Sequence, residues 1–185
     1  MKKHFFGLLL AFSALSVSSC EKDPKLPTPG VEEFPQIYTN ITAQSSYKVS
    51  EIQSNPTATI NLDVRGGNVN DVEAIEIYRQ ARTFNVPTGT TPAPVVAAGG
   101  PRVLLKTVPP VSGDVQIPLS EMIAGLTRPT GAAQTGPRAA ITSASLRATE
   151  GFLITYGLLL KNSRRIEYNA SFNNTPFSGI VTIVP

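Results

Sequence analysis

The chain predicts an all-β fold, an antiparallel β-sandwich of about seven to nine strands with one short helix. Three observations carry that expectation. The segment Thr57-Ala58-Thr59-Ile60-Asn61-Leu62-Asp63-Val64-Arg65 alternates strictly, with Ile60, Leu62 and Val64 on one face and Asn61, Asp63 and Arg65 on the other. Such a period of two marks a half-buried strand. Turn signals recur along the chain at roughly the 8–12-residue spacing of sandwich strands. The composition, 14 Gly and 16 Pro with only 16% charged residues, favours strands and turns over helices.

Taken in order, Tyr38 and Ile41 start a first strand, and Ser45 to Ile52 makes another, with Tyr47, Val49 and Glu51 alternating against Ser46, Lys48 and Ser50. After Thr57–Arg65, Gly66-Gly67-Asn68 forms a turn that leads through Val69–Asp71 into a strand from Val72 to Arg79. There Ile75 and Ile77 face one way, and Glu76 and Tyr78 the other. Pro87 to Pro101, PTGTTPAPVVAAGGP, is uncharged and rich in proline and glycine, and is expected to be a long surface loop. Strands resume over Arg102–Val108 and Gly113–Leu119, separated by Pro109-Pro110. Ser120–Leu126 is the expected helix, with Ser120 as its cap and Met122, Ile123 and Leu126 as its apolar stripe. Thr127–Ala140 is a second expected loop, and Ile141–Thr149 is compatible with helix or irregular chain. Gly151–Lys161 is apolar on both faces, which predicts a central strand. Asn162-Ser163 turns it into a hairpin partner, Arg164–Asn169, and Phe177–Val184 is the last strand.

The first residues read differently. Met1-Lys2-Lys3-His4 is positively charged, Phe5–Leu15 is apolar, and small residues Val17-Ser18-Ser19 precede Cys20, the chain's single cysteine. This is the three-part pattern of a secretory signal. The apolar run is about half the ~20 residues a spanning helix needs. Cysteine directly after the small residues resembles the lipobox of bacterial lipoproteins, which implies cleavage between Ser19 and Cys20 and acylation of Cys20. More than one acyl chain makes such an anchor stable. The expected organisation is a signal peptide over 1–19, the lipidated cysteine and a proline-rich tether over 20–35, and a sandwich domain over 36–185.

Cleavage would change the charge. Of the net +3, Lys2 and Lys3 leave with the leader, so the remainder carries +1. A near-neutral domain has no footprint for nucleic acid. The single histidine, His4, leaves as well. The mature chain then lacks the residue types for a Ser-His or Cys-His pair and for the commonest zinc ligand sets. Carboxylates remain; Asp63 with Asp71 and Glu73 with Glu167 are the pairs that strand pairing is able to bring across a cleft, but their spacing is that of ordinary strand and turn residues. The expectation is a protein with no catalytic residues, metal or cofactor.

The leader, the opening Glu21-Lys22-Asp23, the strand-turn-strand TATINLDVRGGNVNDVEAIEIYRQ and the late hairpin GFLITYGLLLKNSRRIEYN followed by NNTPFSGIVTIVP resemble small lipoproteins of Bacteroidota. The resemblance implies an immunoglobulin- or fibronectin-III-like domain, and Glu21-Lys22-Asp23 as a surface-export signal. It also implies an outer-membrane location, facing the cell surface or the periplasm. Partners would be a TonB-dependent transporter or a receptor lipoprotein of a starch-utilisation-type system. This sequence has Asn162-Ser163 where many relatives have Asp-Gly.

Three functions follow as expectations. The first is a non-catalytic accessory binding or structural module at the outer membrane. The second is a carbohydrate-binding module. With no tryptophan in the chain, its glycan-stacking candidates are Tyr38, Tyr47, Tyr78 and Tyr168, while Tyr156 belongs to a core face. The third is a subunit that donates Phe177–Val184 to another chain's sheet.

Overall fold

The computed structural model describes residues 33–88, 91–96, 100–130, 136–167 and 178–185. Ser19, Cys20, Glu21, Lys22, Asp23, most of the tether and Tyr168 lie outside the described residues. Residues 33–185 form one compact unit.

Two sheets enclose the core. The first is β1 (Gln36–Asn40), β3 (Thr57–Arg65) and β7 (Gly113–Pro118), antiparallel throughout and in the order β1-β3-β7. The second is built on β4 (Val72–Thr88) and β10 (Gly151–Leu160), which pair antiparallel from Leu160↔Val72 to Gly151↔Thr83. On the far side of β10 lie β11 (Arg165–Ile166) and β12 (Ser178–Val184), and β2 (Ser46–Lys48) runs parallel to β12. On the far side of β4 lie β5 (Thr91–Val96) and β6 (Val103–Val108). Strands one, three and seven against four, six, ten and twelve make an immunoglobulin-like sandwich.

The alternation read in the sequence is what closes it. Ala58, Ile60 and Leu62 of β3 meet Ile75 and Ile77 of β4 and Phe152, Ile154, Tyr156 and Leu158 of β10 in one buried cluster. Two cross-sheet hydrogen bonds pin the layers: Tyr47 Oη donates to the Ile117 carbonyl (2.8 Å), and Thr39 Oγ1 bonds Tyr156 Oη (2.5 Å). β10 has neighbours on both edges, which makes it the central strand expected from the sequence.

The structure corrects several expectations. Residues 87–101 are not a loop throughout: β4 continues to Thr88 and β5 returns along it, because the prolines sit where no ladder bond is asked of them. Only Ser46–Lys48 of the expected 45–52 strand is extended; Val49–Ser54 coils into a 3₁₀ turn ended by Asn55 in the left-handed region (φ 54). That coil buries Ile52. The helix, α1, spans Leu119–Ile123, one residue earlier than read and short of Leu126. Ser120 is inside it and caps nothing; the Ser120 N–H is instead satisfied by Asn55 Oδ1 (2.8 Å). The ends of the second expected loop pair as β8 (Thr127–Pro129) and β9 (Arg138–Ala140). Ser143–Ser145 is one 3₁₀ turn. β12 is paired on both edges within its own sheet, so the strand considered for donation already has two partners.

Candidate functional site

Two outward faces gather polar side chains. On β4 the residues out of phase with Ile75 and Ile77 are Glu76 and Tyr78, and on β10 those out of phase with Ile154 and Tyr156 are Thr155 and Gly157. Register sets Tyr78 opposite Thr155 and Glu76 opposite Gly157. Gly157 leaves room there: a Cβ would stand 3.5 Å from Tyr78 Cε2 and 3.4 Å from the Ile166 carbonyl. Arg102, just before β6, lays its guanidinium over the Tyr78 ring at 3.6 Å. It donates from Nε to Thr155 Oγ1 (2.9 Å) and from Nη1 to Glu167 (2.6 Å). Arg165 donates to both oxygens of Glu76 at 3.0–3.1 Å, and Tyr78 Oη donates to Glu76 Oε2 (2.9 Å).

The electrostatics follow from those contacts. The Arg165 hydrogen bonds hold the Glu76 carboxyl below its ordinary range against the opposing effect of burial. Burial, then the hydrogen bond to Glu76, pushes the Tyr78 phenol up. Each carboxylate of this face is thereby matched to an arginine, an arrangement that fixes position.

The other face is that of β1-β3-β7. Asn40 Nδ2 donates to Asn61 Oδ1 (2.9 Å), and Asn61 Nδ2 donates to Asp114 Oδ1 (2.7 Å), a polar ladder across three strands. With Thr42, Gln44, Thr59 and Gln116 it lines an open groove of about 570 Å³. A second depression of about 330 Å³ shares Gln44 and Thr59 and extends toward Lys48 and Glu51. The larger groove carries amides, hydroxyls and one carboxylate and no cationic side chain. Such a surface can exchange hydrogen bonds with a neutral hydroxyl-bearing ligand.

Among the described residues the tyrosine candidates do not form a platform. Tyr47 is wholly buried in the core, so it cannot stack a ligand. The Tyr78 ring is covered by Arg102. Tyr38 is on the other sheet, with Arg65 over its ring at 4.8 Å and its hydroxyl donated to Gln36 Oε1 (2.7 Å). The carboxylates considered as pairs have other partners. Arg65 holds Asp63, and Asn68 donates to Asp71. Glu167 lies beside Gly157, whose cross-strand partner is Glu76 and not Glu73. The groove residues Asn40, Asn61, Asp114 and Gln116 were not singled out from sequence. Their outward parity was visible, but the register Asn61↔Asp114 was not.

Two buried charges act on the backbone. Glu150 accepts the N–H groups of Asn85 and Arg147 (3.0 Å each) and Arg128 Nη1 (3.3 Å), and burial pushes its carboxyl up. Arg79 donates to the carbonyls of Leu104 (2.8 Å) and Ala124 (2.7 Å), tying β6 to the chain leaving α1.

Among the described residues no group of three or more His, Cys, Asp or Glu is placed to hold a metal ion, and no helix is long and apolar enough to cross a membrane. No protein-family model matches the chain, and no curated protein matches it.

Proposed function

We propose that the chain is a lipid-anchored, non-catalytic accessory module of the outer membrane, which binds or supports a partner with its sandwich domain. The observation that carries the reading is Cys20, placed directly after a charged and apolar leader and ahead of a proline-rich stretch that ends where the compact unit begins. The matched carboxylate–arginine pairs support the non-catalytic part, because their hydrogen bonds hold strands together. Two experiments test it. Wild type should take up radiolabelled palmitate and sediment with outer membranes, whereas Cys20→Ser should do neither. Affinity purification of the tagged lipoprotein from detergent-solubilised membranes should bring down a transporter–receptor pair. An unlabelled, freely soluble wild-type protein overturns the anchor, and a partner-free eluate overturns the accessory role.

A second reading, glycan binding, is favoured by one feature, the amide-lined groove on β1-β3-β7. Retardation in gels cast with neutral polysaccharides should then be lost in Asn61→Ala and Asp114→Ala, while Tyr78→Ala leaves it unchanged.

A further inference from the structure

β4 outlasts its neighbours. β10 stops at Gly151, opposite Thr83, and β6 pairs with Ile75–Arg79, but β4 runs on to Thr88 with β5 as its one strand partner there among the described residues. The five residues past Thr83 add about 17 Å at ~3.4 Å per residue. Among the described residues no further strand pairs with either outer edge of this two-stranded arm. An edge with unpaired N–H and C=O groups is a template for another strand.

The register says what those edges present. β4 and β5 pair without a break from Thr83↔Val96 to Thr88↔Thr91, and Pro87 stands opposite Pro92. Opposite residues in an antiparallel ladder alternate between pairs that exchange both N–H bonds and pairs that exchange none. Two prolines have no N–H to exchange, so Pro87↔Pro92 is a non-bonded pair. Asn85↔Pro94 and Thr83↔Val96 are then non-bonded as well, and the ladder bonds fall at Thr88↔Thr91, Val86↔Ala93 and Phe84↔Val95. Residues of the non-bonded pairs point their backbone groups away from the partner strand. Asn85 confirms the phase independently, since its N–H leaves the hairpin to reach Glu150 Oε1 at 3.0 Å.

The outward backbone positions beyond Thr83 are therefore 85 and 87 on one edge and 92, 94 and 96 on the other. Positions 87, 92 and 94 are proline and Glu150 holds the donor of 85, so among the described residues of the arm Val96 is the one left with an outward N–H to offer a further strand. We propose that Pro87, Pro92 and Pro94 form an edge gate, which closes the arm to strand addition and keeps copies of this chain from pairing edge to edge. The gated partner is a second copy of the same hairpin, whose uncharged sequence from Thr83 to Pro101 offers no repulsion of its own. The gate does not depend on the lipid-anchor reading.

The test is the full chain carrying Pro92→Thr and Pro94→Thr, with Pro109→Thr in an exposed turn as control. Sedimentation velocity is run over a hundredfold dilution series, with hydrogen exchange at both ends. Wild type and control should sediment alike at every concentration. The double variant should sediment faster as concentration rises. The amides introduced at 92 and 94 should exchange freely when dilute and become protected when associated. A double variant that sediments as wild type throughout overturns the proposal, and so does protection of those amides in the dilute monomer, which would place them against β4. If circular dichroism shows the double variant unfolded, the single Pro94→Thr variant is read by the same two criteria. As a complement, Ala93→Pro, at a ladder position, should lose protection at the amides of Phe84 and Val86; unchanged protection there contradicts the phase.

Discussion

Gly66 and Gly67 are neighbours with nearly the same backbone, φ 64 and φ 61, yet alanine should be far worse at the second. Both substitutions pay the left-handed conformation, about 1–2 kcal/mol for a residue with a Cβ. At Gly66 that is the whole effect, since an added Cβ meets nothing within 4 Å. At Gly67 it would overlap the carbonyl group of Phe34 and the nitrogen of Pro35. Those are backbone atoms and cannot swing aside, so residues 33–35 must move as a piece. Moving them breaks the Asn68 N–H to Glu33 carbonyl bond (3.0 Å), about 1 kcal/mol net, and unseats the buried Pro35. Gly66→Ala should therefore cost about 1–2 kcal/mol and Gly67→Ala about 3–4 kcal/mol, read as urea midpoints by circular dichroism at equal slope. Equal losses would refute the reasoning, because the backbone term is common to both and only the clash separates them.

Three further expectations concern side chains. Tyr47→Phe should cost about 1–3 kcal/mol, by leaving the buried Ile117 carbonyl without its donor, while Tyr38→Phe, at an exposed bond, should fall within ~0.5 kcal/mol of wild type in the same assay. Arg165→Ala should move the Glu76 carboxyl up toward the ordinary range in an NMR titration. Since Glu76 is held low in the fold, its stabilising share is present above the ordinary carboxylate value and is lost as pH falls through the lowered one. Glu150 has the opposite sign: its folded value is raised, so its share is complete below the ordinary carboxylate value and is lost as pH rises through the raised one. The stability of wild type relative to Glu150→Gln should accordingly fall as pH rises through the mildly acidic range; a rise would contradict the assignment to burial.

Strand faces were readable over the long central segments. TATINLDVR is β3 to the residue, and GFLITYGLLL is a strand buried along most of its length, as apolar residues on both faces imply. The 87–101 segment departs from the expected loop because the phase of its prolines, and not the segment's composition, decides whether it joins a ladder. Pro92 and Pro94 are two apart and Pro87 meets Pro92 across the turn, so all three fall where no ladder bond is needed. Prolines in that phase are the mark of an edge strand. The 45–52 segment failed for a different reason: its alternation was real, but burying Ile52 took a coil. The contacts that assemble both polar faces span 53 residues from Asn61 to Asp114 and 89 from Glu76 to Arg165, and no local pattern encodes such pairings.

The way the first strand is laid in has a mechanical consequence. Gln36, the start of β1, is opposite Arg65 at the end of β3, and β4 climbs from that same end toward the hairpin tip. A pull on the chain ahead of Gln36, resisted at the hairpin, would run along the strands and load the five pairs from Gln36↔Arg65 to Asn40↔Asn61 together, in shear. The same pull resisted at the Gly66-Gly67 turn would peel them one at a time, so the domain should be strong against force in one direction and weak in the other.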